Sequence, residues 1–322
     1  MSRFHPALCM FLLAWACSCV VAQEVTQERP DVHEAAQRMR QTVRFLSEDC
    51  FPRDARSEKQ NEVMDFLESQ FLAAGFRVTR QRYVLDDGEV CFNICALKEG
   101  RSRERILIGA HYDTVPETPG ADDNGSGVAV ILELARLLKD AQELSCDVEL
   151  VSWDTEEPPF FATDEMGSFV HAQDIARRGV RLRAVLCLDV VGYYSSRPGS
   201  QEYPVAGMEW IYGSKGDFLA IIGRLNSAHA MGILKRAIES DALPVRALPL
   251  TESLATETDF SDHRNYLDFQ CPVLFLTNTA FYRTPHYHEP TDTWEKLDYT
   301  KMAHIALGLR AAIEILPENP AP

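Results

Sequence analysis

Apolar positions recur at helical spacing over residues 31–47 and again from Ser57 to Ala74, before Gly75, a residue suited to ending a helix. The pattern becomes strand-like over Phe76–Leu85, Val90–Leu97 and Arg105–Ala110. It returns to helix over Gly125–Leu138, with Val128, Ile131, Leu132, Ala135 and Leu138 on one face. Val148–Trp153 and Ala184–Val191 are continuous apolar runs, as expected of strands covered on both faces. Met166–Arg178, between them, reads as a helix. Asp217–Ile222 then Ser227–Glu239, and Val273–Thr277 then Tyr299–Leu316, repeat the strand-then-helix order. This alternation predicts an α/β fold: a single three-layer α/β/α sandwich around a mixed, mainly parallel sheet. Neither a Gly-, Ser- or Pro-rich linker nor an internal repeat interrupts it, so residues 23–322 are expected to form one domain.

The first 22 residues stand apart from that pattern. Arg3 and His5 precede an apolar run that ends in small residues at Ala22, before the polar Gln23 and Glu24. This is the layout of a secretory signal peptide cleaved after Ala22. The run is short for a bilayer span, so the mature chain is expected to be secreted or periplasmic, with no stable membrane span. Lipid anchoring through Cys17 or Cys19 is the less favoured alternative. Cleavage leaves six cysteines: Cys50, Cys91, Cys95, Cys146, Cys187 and Cys271. Cys91 and Cys95 are roughly 13 Å apart on an extended strand, too far to bridge each other. Cys187 and Cys271 lie in apolar strands and are expected to be buried thiols.

Charge narrows the partners. The 322-residue chain carries 48 acidic against 32 basic side chains, a formal charge of -16. Such a surface repels phosphates and anionic lipids, so nucleic acid is not an expected partner.

The chemically informative residues follow the expected strands, where open α/β sheets place their ligands. His111-Tyr112-Asp113 puts an imidazole and a carboxylate on one side of an extended backbone, suited to a metal ligand with an orienting acid. Asp122-Asp123 sits among small residues just before a helix, where either acid is a capping group or a carboxylate bridging two ions. The adjacent Asn124-Gly125-Ser126 matches a glycosylation sequon, but a sugar there would block the cleft. After the next strand, Glu156-Glu157 suggests a division of labour between a metal ligand and a general base. Asp189 ends an apolar run, an environment that calls for a cation. His286 and His288, after the strand ending at Thr277, are both candidate ligands. Two imidazoles with several carboxylates suit divalent ions, zinc first.

From about Ile106 to Asp298 the chain resembles the co-catalytic dizinc aminopeptidase family of secreted bacterial leucyl-type aminopeptidases, related to glutaminyl cyclases and the transferrin-receptor protease-like domain. The resemblance rests on the ordered set His-x-Asp, Gly-Ala-Asp-Asp-Asn, Glu-Glu, Leu-Asp and Tyr-His-x-Pro-x-Asp-Thr. It implies two zinc ions per chain, one held by His111 and Asp189, the other by Glu157 and His288, with Asp123 bridging. It further implies Glu156 as general base toward a metal-bridging water, Asp113 as the acid behind His111, and a role for the Tyr287 hydroxyl at the developing oxyanion. The implied activity is that of a zinc-dependent exopeptidase removing the N-terminal residue of peptides with a free N-terminus. Two stretches are longer than the family pattern, Pro158–Glu165 and Tyr193–Tyr212, and both are expected to shape the substrate cleft. Phe160 and Phe161 either line a side-chain pocket or, as favoured, pack under their own loop.

Four other readings compete, and a resemblance to the metallocarboxypeptidase and deacylase group is disfavoured because its bridging acid lies much further from the first His than the 12 residues from His111 to Asp123. A glutaminyl cyclase-like acyltransferase would use a single zinc. A metal-free protease-like binding domain would lack ligands or the base, yet every position is filled. A serine hydrolase is disfavoured because Asn124-Gly125-Ser126-Gly127 lacks the first glycine of a nucleophile elbow. The run Ser261-Asp262-His263 says nothing by itself about a triad.

Overall fold

In the computed structural model, residues 32–316 are described apart from 142 and 252–257; the expected signal peptide lies outside the described residues. Eight strands form one mixed sheet: β1 (Arg77–Val84), β2 (Val90–Lys98), β3 (Ser102–His111), β4 (Cys146–Trp153), β5 (Leu182–Leu188), β6 (Leu219–Arg224), β7 (Val245–Leu250) and β8 (Val273–Thr277). Their order is β1-β2-β4-β3-β5-β8-β6-β7. The four central strands, β4, β3, β5 and β8, run parallel. The antiparallel pairings lie toward the edges, between β1 and β2, β2 and β4, and β6 and β8.

Helices α1 (Val32–Arg44), α2 (Gln60–Ala73), α3 (Gly127–Leu138), α6 (Ala228–Ile238) and α7 (Tyr299–Ile315) cover one face; their apolar side chains merge with Ile106, Ile108, Val148, Leu186 and Leu274 into the larger core. Helix α4 (Gly167–Arg177) and the turn Asp262–Tyr266 cover the other face over Leu107, Val151, Val185 and Phe275. The expected three-layer single domain is therefore the observed one. Strands β4 and β5 are buried along their whole length, which is why they read as unbroken apolar runs.

One strand was not expected from the sequence. Val245–Leu250 pairs with β6 at the sheet edge, is only partly buried and contains Pro249. An edge strand needs hydrogen bonds on one side only and tolerates proline, so neither period nor composition marks it. The short exposed helix α5 (Met208–Tyr212) also escaped expectation, because none of its side chains is buried. All six described cysteines are buried free thiols.

Candidate metal centre

Because β3, β4, β5 and β8 are parallel, their C-terminal ends face the same way, and each sends a loop to one point. His111 is the last residue of β3; Glu156 and Glu157 follow β4; Asp189 follows β5; His288 lies in the loop after β8. Asp123 comes from the turn that opens α3. Its backbone leaves helical geometry at Asp123 (φ -105°, ψ 93°) and Asn124 (φ -123°, ψ 39°), which turns the carboxylate inward. Among the non-glycine residues at these loops that adopt left-handed backbone are Thr155 (φ 53°), Val190 (φ 48°) and His288 (φ 57°), each at or beside a donor. Such conformations cost of order 1–3 kcal/mol each and persist only where the surroundings enforce them.

The side chains converge closely. His111 Nε2 lies 3.3 Å from Asp189 Oδ1 and 3.4 Å from Asp123 Oδ1, while His288 Nε2 lies 3.2 Å from Asp123 Oδ2 and 3.3 Å from Glu157 Oε2. Glu156 Oε2 stands 4.0 Å from His111 Nε2. Two donor sets result, His111 with Asp123 and Asp189, and Asp123 with Glu157 and His288, sharing the two oxygens of Asp123. His286 points elsewhere: its Nδ1 meets the Thr291 hydroxyl at 2.8 Å and its ring packs edge-on against Tyr193. Tyr287 stacks on the His288 ring, centroids 3.9 Å apart, placing it beside the donors.

Three other acids hold the backbone that presents these donors. Asp113 lies 3.4 Å from His111 Nδ1, and its two oxygens accept hydrogen bonds from the Glu156 and Glu157 amides, each at 3.1 Å. Asp292 accepts from the Asp122 and Asp123 amides, coupling the His288 loop to the Asp123 turn. Asp122 faces away from the donors: one oxygen accepts from Gly192 and Tyr193, beyond Asp189, and the other from Asn278 Nδ2 at the end of β8. Asn124 is fully buried and bonded to Leu188 O, Gly127 N and Val190 N, leaving the sequon no room for a sugar. Buried Arg53 donates to the carbonyls of Leu46, Tyr112, Pro119 and Gly120. Gly120 has φ 63°, and a Cβ there would collide with Thr114 and with the Asp123 carbonyl, so only glycine fits.

The electrostatics call for a cation. Burial drives the Glu157 carboxyl up to about 7, helped by Asp123, and drives Glu156 well above the usual range. Burial works against the His288 imidazolium, yet Asp123 and Glu157 outweigh it and lift that group to about 10; burial likewise opposes the His111 imidazolium, but Asp189 and Glu156 hold it well above its ordinary range. Left to themselves, the acids and imidazoles hold protons where a metal would hold its ligands. Asp123 Oδ2, Glu157 Oε1 and His288 Nε2 are also buried without a hydrogen-bond partner. Orphaned donors of these types in one set, beside a second set of the same chemistry, fit zinc.

The sequence did not single out Asp262. It is fully buried, neither oxygen has a hydrogen-bond partner, and burial raises its carboxyl to about 7 while His111 draws it down. Its only sequence signal was an acid between two polar neighbours, and its position depends on how the 258–272 segment folds back beneath β5. An apolar cavity of about 390 Å³ opens beside the donors. Asp189, Val190 and Tyr287 border it, and Phe218, Ala220, Ile222 and Phe275 line it. Tyr203, Val205, Met208 and Tyr212, from the long 193–212 segment, complete its wall. Phe160 does not reach it, packing with Tyr83, Leu85 and Cys91 as expected of a residue beneath its own loop.

The comparisons agree with this geometry. The model of Peptidase family M28 matches residues 93–313. YfbL of Escherichia coli strain K12, itself uncharacterized, is 40% identical over 287 residues, 86% of this chain and 87% of its own. The probable lipoprotein aminopeptidase LpqL of Mycobacterium tuberculosis is 40% identical over 236 residues, 70% of this chain and 45% of its own. Among solved structures, LapA aminopeptidase of Legionella pneumophila aligns with a TM-score of 0.69 at 20% identity, covering 90% of this chain and 74% of LapA. Glutaminyl cyclase of Porphyromonas gingivalis aligns at 0.65 and 20% identity, covering 87% and 98%. At such identities the two structures speak for the fold alone. The family match takes in every loop that carries a donor, and the chain thus belongs to Peptidase family M28, a dizinc-type aminopeptidase family of hydrolases acting on peptides.

Proposed function

We propose that this zinc exopeptidase is an aminopeptidase, holds two zinc ions and releases the N-terminal residue of peptides with Glu156 as general base. The sharing of Asp123 carries the reading: its two oxygens face two different imidazoles, each with its own further carboxylate. His111, Asp123 and Asp189 would hold one ion, and Asp123, Glu157 and His288 the other. When bound, zinc supplies Lewis acidity, lowering the pKa of water and polarising a carbonyl.

The chain's own groups do the rest. The Asp113 carbonyl oxygen, 3.2 Å from His111 Nδ1, and its carboxylate at 3.4 Å keep a proton on that nitrogen, so that Nε2 is the free ligand atom. Asp113 also fixes the start of the glutamate pair through the two amides. Glu156 accepts the proton of the attacking water and returns it to the departing amine. The buried carboxylates suit a cationic α-amine, which restricts cleavage to a free N-terminus. Tyr287, held against His288, presents its hydroxyl toward the reacting carbonyl. The apolar cavity beginning at Asp189 and Tyr287 receives the first side chain, favouring large apolar residues.

A single-zinc cyclase would use one donor set and leave the imidazole and further carboxylate of the other without an ion. Metal analysis of the purified protein, with a panel of aminoacyl-anilides and a glutaminyl peptide, separates the readings. At least two zinc ions per chain and chelator-sensitive release, fastest from large apolar anilides, are expected. One zinc with cyclisation of the glutaminyl peptide would overturn the proposal.

A further inference from the structure

We propose that Cys95, Glu149 and His171 form a separate zinc site, remote from the peptidase centre. The three residues come from β2, β4 and α4, and their ligand atoms lie within 4.8 Å of one another. Glu149 is registered with Leu107 of β3, four residues before His111 and so about 13 Å down the sheet from it.

The trio is arranged as metal ligands are. His171 Nδ1 meets the Tyr266 hydroxyl at 2.7 Å, which leaves Nε2 to face the cluster. Glu149 gives Oε2 to Arg105 at 2.6 Å and turns Oε1 toward His171 Nε2 at 3.8 Å, a separation too long for a hydrogen bond and open enough for an ion between them. Cys95 lies on β2 two residues from Leu97, the residue opposite Glu149. Each ligand therefore comes from a different, well-packed element.

A fourth position opens outward. A cavity of about 280 Å³ between α4 and β1 reaches all three side chains, so water or an external ligand could complete a tetrahedral set. Several arginines rim this cavity, which at first suggests an anion site. Most are already paired: Arg177 and Arg178 with Asp174, each at 3.0 Å, Arg105 with Glu149, and Arg77 with Glu99 at 3.9 Å. With those guanidiniums engaged, the inward-facing sulfur, imidazole and carboxylate are what the cavity offers. Thiolate, imidazole and carboxylate together select zinc over calcium or magnesium.

Cobalt(II) tests the site independently of the peptidase centre, whose donors are only nitrogen and oxygen. Metal-free full-length protein is titrated with Co(II) alone and followed in the near ultraviolet, where thiolate-to-cobalt charge transfer absorbs. The wild type is expected to show this band. Cys95→Ser should abolish it, Tyr266→Phe should weaken cobalt binding by about 10- to 100-fold, and Cys271→Ser should leave it intact. Wild type loaded with excess zinc should carry one zinc more than Cys95→Ser, and its zinc X-ray absorption should show sulfur at about 2.3 Å. That last measurement needs no variant to fold. No charge-transfer band in the wild type, an undiminished band in Cys95→Ser, or zinc with nitrogen and oxygen neighbours only would each sink the proposal.

Discussion

Glu149, inside β4, and Glu157, four residues beyond its end, are equally buried, yet their surroundings set their charge in opposite directions. Burial disfavours both carboxylates. Around Glu149, His171 and Arg105 overcome it and bring the group down to about 2. Around Glu157, Asp123 adds to burial, His288 offsets only part of it, and the group rises to about 7. Glu149 thus has one oxygen neutralised by Arg105 and only the other free to face His171, whereas Glu157 lies among further acids with no such cation built in. A buried acid among other acids calls for a cation outright; beside an arginine most of its charge is already met, and what is left to bind is its second oxygen.

Paired substitutions break the comparison most sharply. Glu156→Gln removes the base from the acid-rich cluster and should lower kcat by about 10²- to 10⁴-fold while zinc content and folding persist. Turnover near the wild-type rate would show that Glu156 is not the base. Glu149→Gln should do the reverse, leaving kcat per folded molecule within a few-fold. It orphans the buried Arg105, so stability should fall toward the 3–5 kcal/mol typical of a broken buried pair, less whatever the amide oxygen retains. Denaturant midpoints and single-substrate kinetics on both variants decide it.

Acidity supplies the next effect. In the metal-free protein Glu157 and Asp262 titrate near 7, Asp154 and Asp292 near 8, and His288 near 10, all above their ordinary values. For each acid the folded state binds more protons than the unfolded state between about pH 4 and its raised value. Its stabilisation is therefore complete at low pH and lost as pH rises through that window. His288 has the same sign, with stabilisation complete below about 6.5 and lost toward 10. Asp123, pulled low by the imidazoles, has the opposite sign, but its window lies below pH 4. The Tm of chelator-treated protein should accordingly fall from pH 5 to 8, while the zinc-loaded protein holds or gains. A metal-free Tm that rises over that range contradicts the reading that these acids are buried without a counter-charge.

The sequence announced the centre better than its scaffolding. His111, Asp123, Glu156, Glu157, Asp189 and His288 were all legible because each follows an apolar run that could only be a buried strand, and parallel strands send such loops to one edge. Asp123 over Asp122, and His288 over His286, were not separable by spacing. Those choices are made by hydrogen bonds between distant segments, Asp122 turned toward Gly192 and Asn278, His286 toward Thr291. The left-handed backbone at Thr155, Val190 and His288 has no sequence signature: threonine and valine are β-branched and ordinarily avoid it, and a histidine alone does not announce it. Asp262 and the edge strand β7 were missed for related reasons: one is placed by a fold-back, the other by half a set of hydrogen bonds.

Asp113 offers a smaller test of the acid-rich side. Its carboxylate accepts from two amides and faces the His111 ring nitrogen, and an asparagine offers only one oxygen to those donors. In Asp113→Asn the amide nitrogen must oppose either a backbone N–H or His111 Nδ1. Zinc affinity should fall about 10- to 100-fold, with kcat recovering when zinc is supplied in excess. If activity stays low at saturating zinc, Asp113 does more than orient ligands.

The smallest effect should come from the apolar cavity, which contrasts with both clusters in having almost no charge to satisfy. Ala220 is buried in its wall, on β6 opposite Thr277 of β8. Ala220→Phe places a ring in a space of about 390 Å³, which can accept it without displacing the core. Large N-terminal side chains should then lose about tenfold in kcat/KM, at the low end of what a few methylene contacts confer. Alanyl substrates, which leave the cavity mostly empty, should change little, and zinc content should not change at all. Equal losses for leucyl and alanyl anilides would mean that the ring disturbs the donors instead. A selective loss would show that the acids decide whether the bond is cut, and the cavity which residue is presented to them.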